Sequence, residues 1–170
     1  QGRQMTELRG WWLKQMAEPA RATREKLTLF LHGHFATSFE KVRSPFLLYQ
    51  QNSLFREKAY GMWSDLVLGV AQDPAMLLYL DGAKSRAEAP NENFARELFE
   101  LFTLGEGNYT EKDIQESARA FTGWGIGADK GKKGGLQRGS YPSFKNVPKW
   151  HDAGAKTIFG ETGNFDGSDV

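Results

Sequence analysis

The sequence predicts a mainly α fold: a multi-helix, orthogonal or bundle-like domain with a small C-terminal β ribbon and a Gly/Lys-rich loop. Three observations lead to it. Up to Gly125, apolar residues recur at helical spacing, and cap residues, prolines and glycines mark the breaks. From Gly127 to Gly139 that period is lost in a run rich in glycine and lysine. Beyond Tyr141, short alternating and β-branched runs take over.

Met5 to Ala17 makes the first helix, with Leu8, Trp11, Trp12 and Leu13 clustered and Pro19 closing it. The second runs from Arg21 to about Ala36. Leu27, Phe30, Leu31 and Phe35 form its apolar stripe, and His34 falls inside that stripe. On a continuous helix His32 points about 200° away from His34. That places His32 at the surface, and one metal ion cannot reach both rings. Ser44 and Pro45 cap and open a helix that continues through Lys58. Met62 to Ala71 follows, with Met62, Trp63, Leu66, Val67 and Val70 turned inward. Asp73 and Pro74 repeat the cap-and-proline pair. Ala75 to Leu80 is apolar all round, so this short helix is expected to be buried.

The most distinctive stretch is Pro90 to Gly125. Asn91 caps a helix on which Phe94, Ala95, Leu98, Phe99, Leu101 and Phe102 fill an arc of roughly 160°, the width of a core-facing surface. Gly105 stops it. Thr110 caps the next helix. Asp113 at its third position makes a capping-box variant, and Tyr109 with Ile114 makes a hydrophobic staple. Ile114, Ser117, Ala118, Phe121 and Trp124 share one face of that helix, which Gly123 and Gly125 end. The short connection makes the two helices antiparallel neighbours. They should hide Phe94, Leu98, Phe102, Ile114 and Phe121 from water. Near the end, Tyr141, Phe144 and Val147 alternate, and Thr157 to Phe159 leans towards β structure.

At 170 residues the chain is one domain's worth: a helical body over 1–125, the loop over 126–140, and a ribbon and turn over 141–170. Net charge is +1, so no global field favours nucleic acid or a membrane surface. There is no cysteine, which removes disulfides, thiolate metal sites and cysteine nucleophiles. No apolar run approaches the roughly 18 residues of a membrane span. The chain starts at Gln1 rather than Met, so it reads as a fragment whose first partner is the remainder of the full-length protein, and the lack of a signal peptide at this start carries no information.

The stretch NENFARELFELFTLG from Asn91, followed by YTEKDI and ARAFTGW, resembles the large bacterial family catalogued as domain of unknown function 1800. REKLTLFLHGHFATS from Arg24, DPAMLLYLD from Asp73 and HDAGAKTIFG from His151 support the resemblance, in the family's order and over most of the chain. It implies a longer, exported protein, periplasmic or extracellular, sometimes encoded beside sulfatase-like proteins. It assigns no catalytic residue.

The residues alone do not name an activity. The preferred reading is a non-catalytic binding or scaffold portion of an exported protein, with a glycan or another exported protein as partner. Against it stands a divalent-metal-dependent, hydrolase-like enzyme. Its raw materials are His34, His151 and Asp152 as ligands or catalytic groups, with Glu97 and Glu100 nearby on the central helix. Asn93, Arg96, Arg119, Trp124 and Trp150 are the candidates for ligand contacts. The polar arc of Asn93, Arg96, Glu97 and Glu100 is better explained as a solvated face with spaced ion pairs. Lys130, Lys132, Lys133, Arg138, Lys145 and Lys149, beside Tyr141, Phe144 and Trp150, suit nucleic acid or a glycan by charge and stacking. The balanced total charge argues against nucleic acid. Asn164, Asp166 and Asp169 flank Gly167 as in a calcium loop, but the spacing and the closing Glu are missing, and a helix cap at Asp166 or Ser168 explains them better. No phosphate-binding glycine loop or nucleophile elbow occurs.

Overall fold

A computed structural model describes residues 2–128 and 141–170. Over these residues the fold is mainly α, with two small antiparallel sheets near the C-terminus, as the sequence predicts. The chain forms two compact units, Gln1–Ala75 and Met76–Val170. No helix among the described residues is long and apolar enough to cross a membrane.

The first unit holds α1 (Gly2–Ala17), α2 (Ala22–His34), α3 (Phe39–Val42), α4 (Pro45–Lys58) and α5 (Trp63–Ala71). Phe35 and Phe55 are fully buried and stack with ring centroids 6.0 Å apart. Leu31, Leu47, Leu66 and Val70 complete the core. Ser44 caps α4 as expected, its hydroxyl accepting from Leu47 N–H at 3.3 Å.

Three expectations fail here. On α1, Leu13 is 64% exposed and no residue is fully buried. On α5, Met62 and Trp63 are exposed rather than inward, because Met62 is the extended cap residue and only Leu66, Val70 and Ala71 reach the core. On α2, Phe30 is 64% exposed, while Glu25 and Thr28 are fully buried beside Leu31. A sequence stripe assumes that carboxylates face water. Glu25 does not, because partners inside the unit hold it. The helix is therefore rotated from the position its apolar residues suggest.

The second unit contains most of α6 (Pro74–Tyr79), then α7 (Glu92–Glu97), α8 (Glu111–Ala120), β1 (Trp124–Gly127), β2 (Ser143–Asn146), β3 (Lys156–Ile158) and β4 (Glu161–Gly163). Ala75, Met76, Leu77 and Leu80 are buried, as the uniformly apolar stretch requires. The predicted pair of back-to-back helices is present. Phe94, Leu98, Phe102, Ile114 and Phe121 are all at most 6% exposed, and Phe94 meets Phe121 edge-on at 4.9 Å. The Asn91 cap and the Thr110–Asp113 capping box both form.

Leu101 does not join that buried face; it is 59% exposed. Leu98–Thr103 continues α7 as a π-helix, closed by the Thr103 hydroxyl donating to the Leu98 carbonyl at 2.6 Å. A π turn holds more residues than an α turn, so the phase slips and Leu101 swings out. Gly105, at φ +80°, then ends the helix where expected.

Trp124 also departs from its expected place on α8. That helix stops at Ala120, and Gly123 at φ +86° turns the chain into β1, which pairs antiparallel with β2 from Trp124 opposite Asn146 to Gly127 opposite Ser143. A side chain at Gly123 would stand 3.0 Å from the Val147 carbonyl. Strands β3 and β4 form the second sheet. The core of the expected Gly/Lys-rich loop, 129–140, with Lys130, Lys132, Lys133 and Arg138, lies outside the described residues.

Candidate ligand-binding cavity

Most residues singled out by the sequence of the second unit have structural partners. Asn93 donates from its side chain to the Leu80 carbonyl at 3.4 Å, and Asn91 does so at 3.0 Å. Arg96 bridges Glu92 and Glu111, and both partners hold its guanidinium above its ordinary value. Glu100 accepts from the Tyr109 hydroxyl at 3.1 Å. Glu97 lies half-buried at the end of α7. Trp124 is 2% exposed between Phe121 and Phe144. Trp150 is covered by the Arg86 guanidinium, 3.6 Å from its ring centre.

His151, Asp152 and Arg119 form one cluster. Arg119 grips Asp152 through Nε at 2.7 Å and Nη2 at 3.2 Å, and its Nη1 donates to Glu116 and to the Ala155 carbonyl. The Arg119 bond holds the Asp152 carboxyl below its ordinary range. His151 Nδ1 donates to the Thr122 carbonyl at 2.9 Å. Lys156 is 1% exposed and donates to the carbonyls of Asp152 and Gly154, while burial pulls its ammonium below the usual lysine value. Two carboxylates of α8 hold the β3–β4 sheet: Glu116 accepts from Thr157 N–H at 3.0 Å and Asp113 from Phe159 N–H at 2.7 Å. The cluster therefore fastens a strand to a helix. His34 belongs to the first unit, its ring edge-on to Phe35 at 4.6 Å and 5.6 Å from Trp63. Among the described residues no group of three or more His, Cys, Asp or Glu side chains is arranged to hold a metal ion.

At the end of the chain, Asp166 and Asp169 close local turns on the N–H groups of Ser168 and Asp166, each at 2.7 Å. Gly167 packs against Trp124 and Phe121 so closely that a Cβ would fall within 2.6 Å of either ring. Its glycine is explained by that approach.

The first unit offers a different arrangement, which the sequence does not flag as a site. A cavity of about 520 Å³ lies between α1, α2, α3 and α4. Met5, Leu8, Trp12, Phe39 and Leu48 give it apolar walls. His32, Thr37, Ser38 and Asn52 add polar groups, and Arg9 and Glu40 line it too. Such a volume is within the range of small-molecule sites.

Behind this wall stands a buried ion pair. Glu25, 1% exposed, accepts from Arg56 Nε at 2.5 Å and Nη2 at 2.8 Å, and from Trp12 Nε1 at 2.9 Å. The Arg56 hydrogen bond keeps the Glu25 carboxyl below its ordinary value despite burial. Arg56 Nη2 also donates to Asn52 Oδ1 at 2.7 Å. Because a guanidinium only donates, that bond fixes which end of the Asn52 amide faces it. The Asn52 NH2 is left over. It is buried with no partner among the described residues, and so is His32 Nδ1.

His32 is thus half-buried rather than at the surface, edge-on to Trp12 with centroids 5.3 Å apart. Burial lowers its pKa, because an imidazolium loses hydration there. The predicted divergence of His32 from His34 holds, since each ring meets a different aromatic set. Sequence reasoning missed the site because its key residues, Glu25, Asn52 and Arg56, look like ordinary surface positions of amphipathic helices. One signal was available: Glu25 sits three residues before Thr28 and six before Leu31, on the face that proves buried.

A family model described as a protein of unknown function, DUF1800, matches residues 1–170. No curated protein and no solved structure matches the chain.

Proposed function

The chain belongs to that DUF1800 family over its whole length, and on that premise we propose that it is a non-catalytic binding module of an exported bacterial protein. The location follows from the family resemblance. The binding role rests on one observation: a cavity of about 520 Å³ in the first unit, with apolar walls from Met5, Leu8, Trp12, Phe39 and Leu48 and polar groups from His32, Thr37, Ser38 and Asn52. Such a volume with a few polar groups on apolar walls is the usual form of a small-molecule site. Asn52 carries no titratable proton, and the buried carboxylate behind the wall, Glu25, is committed to Arg56 and Trp12.

A fragment screen by NMR on the full chain tests the reading. Neutral, anionic and cationic fragments are added in equal numbers, and the side-chain NH2 of Asn52 and the ring signals of His32 are followed. At least one class is expected to shift both sets without being chemically altered. Silence from every class, or conversion of a bound fragment to product, would end the binding proposal.

A further inference from the structure

We propose that the second unit carries a site for a neutral sugar: a groove at the β3–β4 turn in which the Phe159 ring stacks on the apolar face of a pyranose while Lys112 and Asn108 bond its hydroxyls. The groove shares no residue with the cavity of the first unit.

Strands β3 and β4 are joined by two residues, Phe159 at φ +50° and Gly160 at φ +86°, with Ile158 opposite Glu161. Positive φ at both central positions defines a type I′ turn, for which Asn-Gly is the favoured pair. The left-handed conformation is unfavourable for a bulky aromatic residue, whose Cβ crowds the following carbonyl. Asp113, accepting from Phe159 N–H at 2.7 Å, helps to hold it there. Backbone strain of this kind gathers at binding sites, where the surrounding structure maintains it. Burial does not account for the ring: it meets Phe99 at 5.2 Å yet stays 49% exposed.

The ring borders a groove of about 530 Å³ that Asn108, Tyr109, Lys112 and Thr157 also line. Buried Phe99 lies against both aromatic walls, 5.9 Å from Tyr109, and the Tyr109 hydroxyl is tied to Glu100. The walls are therefore fixed before a ligand arrives. A Cβ at Gly107 or Gly160 would meet no atom within 4 Å, so the rim is open. Asn108 and Lys112 are exposed, and a ligand reaches both. Asn108 spends its NH2 on the carbonyls of Leu104 and Gly105, which leaves Oδ1 as an acceptor. Lys112 brings an ammonium that makes no hydrogen bond among the described residues. One group accepts and the other donates, and a sugar hydroxyl does both.

Charge favours a neutral ligand. Lys112 and Asp113 are the charged residues lining the groove, one of each sign. Asp113 is 8% exposed and its oxygens are taken by Thr110 and Phe159, so it does not hold a cation. Lys112 repels cations, and the Asp113 charge offsets its pull on an anion. The negative face of an aromatic ring attracts the slightly positive C–H groups on one side of a pyranose.

Glucose, cellobiose and maltose, titrated into the full chain and followed by NMR, test the proposal. Sorbitol offers the hydroxyls without the ring, and benzyl alcohol offers a flat ring with one hydroxyl. At least one sugar is expected to shift the ring signals of Tyr109 and Phe159 with roughly tenfold or more higher affinity than sorbitol. Phe159→Asn supplies the residue that the turn prefers and removes the stacking face. It should keep its melting temperature to within about 4 °C while weakening sugar binding by roughly tenfold. Phe159→Tyr retains the face and should bind as the unmodified chain does. Lys112→Met removes the donor and should weaken binding by roughly fivefold. A larger fall in the melting temperature of Phe159→Asn would show that the ring serves packing on Phe99, and it overturns the proposal. So does unchanged sugar affinity in Phe159→Asn or Lys112→Met, equal affinity for sorbitol, preference for benzyl alcohol, or silence from all three sugars.

Discussion

Glu25 shows how one residue redirects a helix. Its carboxylate is fully buried, held by a two-point contact from Arg56 and the indole N–H of Trp12. Removing one partner of a buried pair costs more than the pair itself contributes, since the other charge is left uncompensated. Glu25→Gln is therefore expected to destabilise the protein by about 3 kcal/mol, somewhat less if water reaches the partly exposed Arg56. Urea denaturation measures it, and a loss below about 1 kcal/mol would show that the pair is not the anchor described here. Lys156 is the corresponding case in the second unit. Its ammonium feeds two carbonyls in a buried setting, so Lys156→Met should cost about 2 kcal/mol through the unpaired carbonyls.

At the scale of elements, the α8 start carries more than a cap. Thr110 satisfies one N–H, as any capping threonine does, and Thr110→Ala is expected to cost about 1 kcal/mol. Asp113 does three things at once: it accepts from Thr110 N–H and hydroxyl and from Phe159 N–H. Burial pushes its carboxyl up, but these bonds together outweigh that and hold it below its ordinary range. Asp113→Ala should thus cost roughly 3 kcal/mol, well beyond the cap alone. Equal losses for the two variants would mean that the tie from α8 to the β3–β4 sheet contributes nothing. The capping box is visible as a sequence spacing. The tie to Phe159, 46 positions further on, is not, because no local pattern records it.

Across the whole molecule, acid should loosen both units. Glu25 in the first and Asp113 and Asp152 in the second all have carboxyls held below their ordinary values. Such groups bind fewer protons folded than unfolded, so stability rises with pH through the acid range. Their contribution is fully present above the ordinary values of 3.8 for Asp and 4.5 for Glu, and it is lost as pH falls through the depressed ones. The melting temperature should fall on acidification from about pH 6 to about pH 3, and Glu25→Gln or Asp152→Asn should flatten that slope. A flat profile in the unmodified chain would contradict the ion-pair assignments.

Local chemistry alone determined much of this protein. Caps at Ser44, Asn91 and Thr110, the glycine stop at Gly105, the mainly α class and the aromatic seam of the central helices all follow from neighbours within a few positions, where spacing and side-chain type suffice. Only the tertiary structure decided the rotation of α2, the π turn that exposes Leu101, the strand made from Trp124, and the cavity itself. The rotation of α2, the strand and the cavity depend on partners distant in the chain, such as Arg56 for Glu25 or Asn146 for Trp124. A buried polar group is stable only when such a partner meets it, and that meeting is a property of the folded chain.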